Sequence, residues 1–298
     1  MRKVTAFLRG DRRAVVGAAV FALIACAVLL APVLAPHTTT WSDGGPFSPP
    51  SAAHPLGTNG QGQDVLSHVL YGGRTSLGMA LVVGTGTTVI SVVAGLVTAF
   101  LGGVADEAIS LVVNVVLTIP SLPLIIVLAA FLPPGTGTIV LVLVATGWAF
   151  GARVVRSQAL TLRRRDFVAA ATVAGEHRRR TIFVEIMPNM ASVIAAYFCG
   201  QVVFALTAGS ALEFLGLGDA DQPSWGTMLF WAQNDSALLQ GAWWTFVAPG
   251  LGIALTASAL ALVNFAIDAA TNPRLRVAGG GATRRPRGFR RATAVRRG

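Results

Sequence analysis

Apolar runs long enough to cross a bilayer alternate along the chain with short polar intervals. Charge-free windows extend from Ala14 to Ser42, Thr75 to Ala105, Ala108 to Ala152, Ile186 to Leu212 and Ser236 to Ile267. A membrane-spanning helix needs about 20 apolar residues, so four of these windows predict one span each. The third is 45 residues long and is broken by Pro133-Pro134-Gly135-Thr136-Gly137, so it predicts two. The pattern is that of an all-α polytopic membrane protein with six spans. It divides the chain into a tail (1–13), a first span (14–36), an external segment (37–74), a core of five helices (75–272) and a second tail (273–298).

Between the fourth and fifth spans lies the longest charge-rich interval, Ser157 to Met190. Its pattern is helical. From Ser157 to Ala174 there is no Gly or Pro, and Leu160, Phe167, Val168 and Ala171 recur at helical spacing beside Arg163, Arg164, Arg165 and Asp166. One helix is expected over 157–174, ended by Gly175. A second, from His177 to Met187, is expected to stop at Pro188. Helix, glycine and helix on a membrane surface would offer a shaped knob to a soluble partner. Taken alone, the pattern also suits a basic amphipathic loop lying on anionic lipid.

Composition agrees with the spans. Of 298 residues, 53% are hydrophobic and only 12% charged, about half the charge fraction of a soluble domain. The distribution of Lys and Arg sets an orientation. Five lie in the N-terminal tail, eight between Arg153 and Arg180, and nine after the last span; Arg74 alone falls on the other side. Such bias predicts both termini and the central loop in the cytoplasm. The net charge of +10 therefore reports topology and contact with anionic lipid. Without a folded soluble domain, it argues against nucleic acid as a partner. The basic start followed by an apolar run would suit a signal peptide. The run is too long for that, however, and no small-x-small site ends it, so a retained helix is expected.

Few residues offer chemistry. Cys26 and Cys199 both fall inside spans, as small packing residues rather than a disulfide or a metal pair. His37, His54, His68 and His177 all lie outside the spans, Asp268 is the only acid at a span edge, and no HExxH occurs. An intramembrane enzyme is therefore not expected, and neither a catalytic nor a metal-ligating set is assigned. Charges buried in the spans, which a stand-alone channel or carrier would need, are also missing. The glycine-rich GTNGQGQD has no Gly-Lys-Ser/Thr after it, and the chain's single Lys is Lys3, so no phosphate loop and no bound ATP are expected. Gly78, Gly84, Gly86, Gly95 and Ala99 would let the second span pack closely. Gly102-Gly103 with Asp106-Glu107 would form a tight inner turn. Asn114 and Pro120 in the third span, Gln201 in the fifth and Asn264 in the sixth are candidates to line a route for substrate. Interhelical hydrogen bonds and a packing bend at Pro120 and Pro123 explain them as well. Trp225, Trp231, Trp243 and Trp244 border an acidic external loop, Glu213 to Trp243, as interfacial anchors would.

Four motifs carry a resemblance. DFVAAATVAG followed by IMPN resembles the cytoplasmic EAA loop of bacterial ABC-importer permeases, which docks into a groove on the ATPase subunit. Ala169, Ala170 and Ala171 fill its first three places, Gly175 the fourth, and Met187-Pro188 its end. Ala169 stands where Glu is usual, removing a carboxylate available to the ATPase, and Met187 where Leu is usual. HPLGTNGQGQDVLSHVLYGGRTSL, from His54 to Leu77, resembles the C-type subunits of dipeptide and oligopeptide permeases, with Asn59 for a common Asp and Gln63 for the usual Arg. LEFLGLG with the later Ser224-Trp225-Gly226, and NFAIDAATNPRLR at the end of the last span, are similar to motifs of the same family.

The resemblance implies a permease subunit that forms the translocation pathway with a homologous permease. It implies one or two ATPase subunits, which would bind ATP and Mg²⁺, and an extracytoplasmic binding protein. In the coupling loop it points to Asp166, Ala169, Ala170, Ala171, Gly175, Glu176, Met187 and Pro188. The expected location is the bacterial inner membrane. Dipeptides, longer peptides, nickel chelates and other peptide-like solutes all remain open as cargo.

Overall fold

A computed structural model of the chain describes residues 12–271 apart from 41 and 43. Residues 1–11 of the first tail, the second tail with its Asn272-Pro273-Arg274 ending, and the side chain of Asp268 lie outside the described residues. Among the described residues extended pairing is limited to two isolated bridges, Ser42 with Gln63 and Thr58 with Asp64; the rest of the architecture is helical.

Helix α1 spans Arg12–Leu29 and is followed by one further turn, Ala31–Leu34, with Pro32 in its first positions. Helix α2 runs Val65–Leu101. It starts ten residues before the expected boundary at Thr75, because the window was drawn by charge whereas the helix is defined by its cap. Asp64 accepts a hydrogen bond from the Ser67 N–H at 2.8 Å, and no Gly or Pro breaks the turns that follow until the paired glycines Gly72-Gly73. Its 37 residues make a rod about 55 Å long for a hydrocarbon core of about 30 Å, so it projects beyond the lipid. Gly102 and Gly103, at φ 64° and 59°, turn the chain into α3, Gly103–Thr118.

The third span is more than kinked. After α3 the chain is extended at Ile119 and Pro120, and α4 (Ser121–Ala130) leaves at 91°. The residue before a proline is driven out of the helical region, and Pro123 is tolerated because the first turn of α4 needs no N–H there. Among the described residues five helices are long and apolar enough to cross a membrane, and the crossings number six, as expected, only if the bent α3–α4 pair counts as one span.

Helix α5 (Thr136–Arg163) carries the fourth span into the central loop. The single helix expected over 157–174 is therefore split: α5 ends, Arg165 is extended, and α6 (Asp166–Val173) begins. Packing explains the break. Leu160 and Val168 join one buried cluster, yet eight residues apart on a straight helix they would point about 80° apart. Nor does the next run end at Pro188. A turn at Arg178–Arg180 enters a π-helix, Thr181–Ile186, which feeds straight into α7, Met187–Phe214. Pro188 occupies the first turn of the new α register, where a missing N–H costs least. A shorter helix α8 (Trp225–Asn234) precedes the last span, α9 (Trp244–Thr271).

Helix α2 is the centre: α5 and α7 pack along it, and α9 bridges α7 and α1. Small residues set the distances. A Cβ at Gly95 would come within 2.7 Å of Val155 and 2.8 Å of the Ala152 carbonyl, and one at Gly17 within 2.6 Å of the Ala259 carbonyl. Where α2, α5 and α7 meet, Ser91 Oγ donates to the Trp148 carbonyl at 2.7 Å and the Tyr197 hydroxyl to the Gly147 carbonyl at 2.9 Å. The Tyr197 ring occupies the space a side chain at Gly151 would fill. Outward faces are apolar: Leu23, Leu111, Leu141 and Phe265 are all exposed, as lipid contact requires. Cys199 is buried, Cys26 exposed, and both are free thiols.

Tyr197→Phe removes two interhelical hydrogen bonds, to the Gly147 carbonyl and from Ser91 Oγ, and is expected to cost only about 1 kcal/mol. Gly151→Leu forces α5 from α7 and is expected to abolish the monodisperse detergent-solubilised protein. Size-exclusion chromatography of the two variants reads the difference.

Candidate functional site

The loop between α5 and α7 is anchored at its root. Arg163 Nη1 donates to the Ala99 carbonyl at 3.0 Å, and its guanidinium lies 5.6 Å from the centre of the Phe100 ring, tying α5 to the end of α2. Val168 is 5% exposed and packs with Leu96, Ala99, Ile186 and Met190, a cluster that Leu160 and Met187 complete. Helix α6 thus rests on the span ends by one face.

Its other face is bare. Asp166, Ala169 and Ala170 are exposed, Ala171 half-buried, Phe167 38% exposed and Val173 90% exposed. Phe167, Ala170, Val173 and Ala174 follow at helical spacing, giving a small-residue apolar ridge in water. Gly175 ends the helix at φ 76°. Its N–H donates to the Thr172 carbonyl at 3.1 Å, and the Glu176 N–H to the Ala171 carbonyl at 3.0 Å, the paired bonds of a Schellman stop. Glu176 Oε1 then accepts from Arg180 Nε at 3.0 Å. Met187 is half-buried beneath the loop and Pro188 exposed beside it. The structure therefore places Asp166 to Glu176 on α6 and its stop and Met187-Pro188 at the start of α7, with Val168, one of the residues in the apolar stripe, as the buried anchor.

The pathway candidates are scattered. Asn114 Oδ1 accepts from Arg153 Nη2 at 2.8 Å, joining α3 to α5, beside the ion pair of Arg156 with Asp106 at 2.9 Å. Pro120 sits in the α3–α4 bend. Gln201, on α7, lies by Gly147 of α5, and Asn264 is on α9; the amide oxygens of both are buried with no hydrogen-bond partner. The structure does not gather these four into one site.

Comparison with known proteins decides the class. Residues 91–277 match the family described as binding-protein-dependent transport system inner membrane component. The chain belongs to that family. It is 32% identical to the dipeptide transport system permease protein DppC of Bacillus subtilis over 273 residues, 90% of this chain and 84% of that protein. It is 30% identical to the oligopeptide transport system permease protein OppC of the same organism, covering 90% and 88%. With the di/tripeptide transport system permease protein DppC of Pseudomonas aeruginosa it shares 31%, covering 85% and 86%. It is thus a multi-pass membrane permease component.

In this permease the HPLGT and Ser-Trp-Gly motifs form one packed unit against α2 and α8. Trp225 and Trp244 are not interfacial anchors. Trp225 is 1% exposed, with its indole N–H on the Val69 carbonyl at 2.9 Å and its backbone N–H on Ser76 Oγ at 3.0 Å. Trp244 is also buried and donates to the Thr58 carbonyl at 3.0 Å. Glu213, expected on an acidic loop, is buried and accepts from Ser224 Oγ at 2.7 Å. The glycines Gly218 and Gly226 leave room for it. Gly57, at φ 72°, lies under the Trp244 ring. The two departures in this motif touch each other: Asn59 Nδ2 donates to Gln63 Oε1 at 2.8 Å, while Asn59 Oδ1 accepts the Gln61 and Gln63 N–H groups. A neutral amide pair stands where the family resemblance has an acid and an arginine.

Gln63→Arg alone would aim a cation at the Asn59 amide donors and is expected to destabilise. Adding Asn59→Asp is expected to restore stability, with a coupling of about 0.5–1 kcal/mol in a double-mutant thermal-unfolding cycle.

Proposed function

We propose that this permease is one of two homologous membrane subunits of an ATP-driven importer for di- or oligopeptides, and that α6 is its coupling helix. The observation that carries the reading is the bare apolar ridge of Phe167, Ala170, Val173 and Ala174, exposed on a helix fixed from beneath by Val168. An exposed apolar ridge on a rigid mount suits a groove on a soluble partner. The peptide cargo follows the names of the relatives. The ridge, together with the positive charges around it, favours a cytoplasmic position for the loop and both termini in the bacterial inner membrane.

In this reading the chain is non-catalytic. ATP and Mg²⁺ are held by one or two partner ATPase subunits, and an extracytoplasmic binding protein delivers the peptide. ATP binding closes the ATPase pair, α6 moves with it, and the spans tilt from inward-open to outward-open. The nucleotide acts by favouring one of two states of differing substrate affinity. Ala169 in the usual Glu position leaves docking to shape and apolar contact, with Asp166 and Glu176 as the nearby acids.

Affinity purification of the tagged chain, followed by mass spectrometry, tests the assembly. A homologous permease with one or two ATPases is expected; a homo-oligomer without an ATPase overturns the reading. Val173→Asp is expected to weaken ATPase recovery by about tenfold or more, since it buries a charge without a partner. Gly175→Pro is expected to leave the protein inserted and uptake uncoupled, because proline cannot adopt φ 76°. Normal uptake by that variant would sink the coupling assignment.

A further inference from the structure

Three residues from separate parts of the extracytoplasmic segment converge on one point. His37 follows the first helix, His54 lies in the loop, and Asp64 caps α2. Each offers one ligand-capable atom, and these atoms all lie within 4.8 Å of one another. His54 and Asp64 are buried and His37 half-buried. Positions 37, 54 and 64 show no ligand spacing along the chain and meet only when the loop folds back.

We infer that His37, His54 and Asp64 form a binding site for a single divalent cation of the zinc class, which pins the extracytoplasmic segment to the start of α2. Two ligands on one tetrahedral zinc, bound at about 2.0–2.2 Å, stand about 3.3 Å apart. His54 Nδ1 and Asp64 Oδ1 are already 3.2 Å apart. The His37 ring lies beside that of His54, centroids 5.1 Å apart and tilted 35°, and its donor atom is within 4.8 Å of the other two. Water would take the fourth position.

The surroundings orient these groups. Asp64 Oδ2 accepts from the Ser67 N–H at 2.8 Å and from Ser67 Oγ at 2.7 Å, which turns Oδ1 toward His54. The same hydroxyl accepts the His37 N–H at 3.1 Å. Ser67 therefore positions the carboxylate and the His37 backbone together, the kind of support that metal ligands have behind them. Asp64 is 1% exposed, and a carboxylate so placed is stabilised by a counter-charge. Two imidazoles and one carboxylate suit zinc and its neighbours rather than calcium or magnesium.

The site is independent of cargo and of the ATPase, and so is its test. The full chain, purified in detergent through a tag without histidines, is equilibrated with buffered Zn²⁺ and its metal content measured by mass spectrometry. One zinc per chain is expected, with a higher unfolding temperature in Zn²⁺ than in EDTA. His54→Ala is expected to lower the affinity at least about tenfold. Asp64→Asn keeps an acceptable helix cap and is expected to lose the zinc and its thermal effect while the protein stays folded. Wild-type protein without zinc, or equal binding by wild type and Asp64→Asn, overturns the site and leaves a hydrogen-bonded latch.

Discussion

Close approach of α2, α5 and α7 is the constraint on which the rest depends. In lipid, apolar side chains gain little by meeting each other, so association rests on packing and on hydrogen bonds between helices. Gly95 supplies the packing by letting α2 lie against the Ala152 carbonyl of α5. Ser91 and Tyr197 supply the bonds, spending their hydroxyls on carbonyls of a neighbouring helix. With these three helices fixed, the ends of α2 and α5 come together, and Arg163 fastens one to the other. At the opposite end, the early turns of α2 provide the floor on which Trp225 and the HPLGT loop settle.

That arrangement gives the central loop its stiffness. Val168 sits in the same cluster as Leu96 of α2, Val155 of α5 and Met190 of α7, and α6 packs against α5 and the π-turn Thr181–Ile186. The Schellman stop at Gly175 and the ion pair of Glu176 with Arg180 define where the loop turns back. Under the proposed coupling role such a mount would transmit movement; a loop tethered by flexible chain would absorb it.

The spans were legible because their signal is long and redundant: a window of charge-free residues survives small errors in its ends. The glycine stop at Gly175 was legible for a different reason, since a single residue type marks a positive φ. What sequence missed depends on distance in space. The break at Arg164-Arg165 follows from two side chains needing one cluster, and the passage through Pro188 from a π-turn that shifts the register. Trp225 and Trp244 look like interfacial residues by position, and only the folded external segment, with Thr58 and Val69 offering carbonyls, shows them buried. Similarly, Asn59 and Gln63 read as two separate departures until the loop puts one amide on the other.

The uninterrupted length of α2 has a mechanical consequence. From Val65 to Leu101 it is a single strut with one end in the unit around Trp225 and the other in the cluster beneath α6. A strut held at Ser91 has arms of about 39 Å toward Val65 and 15 Å toward Leu101. Pivoting there, it would carry a small displacement of its short arm to the far end of the long one enlarged roughly two and a half times, and in the opposite direction. The loops riding on that long arm would swing as a body, without any hinge of their own.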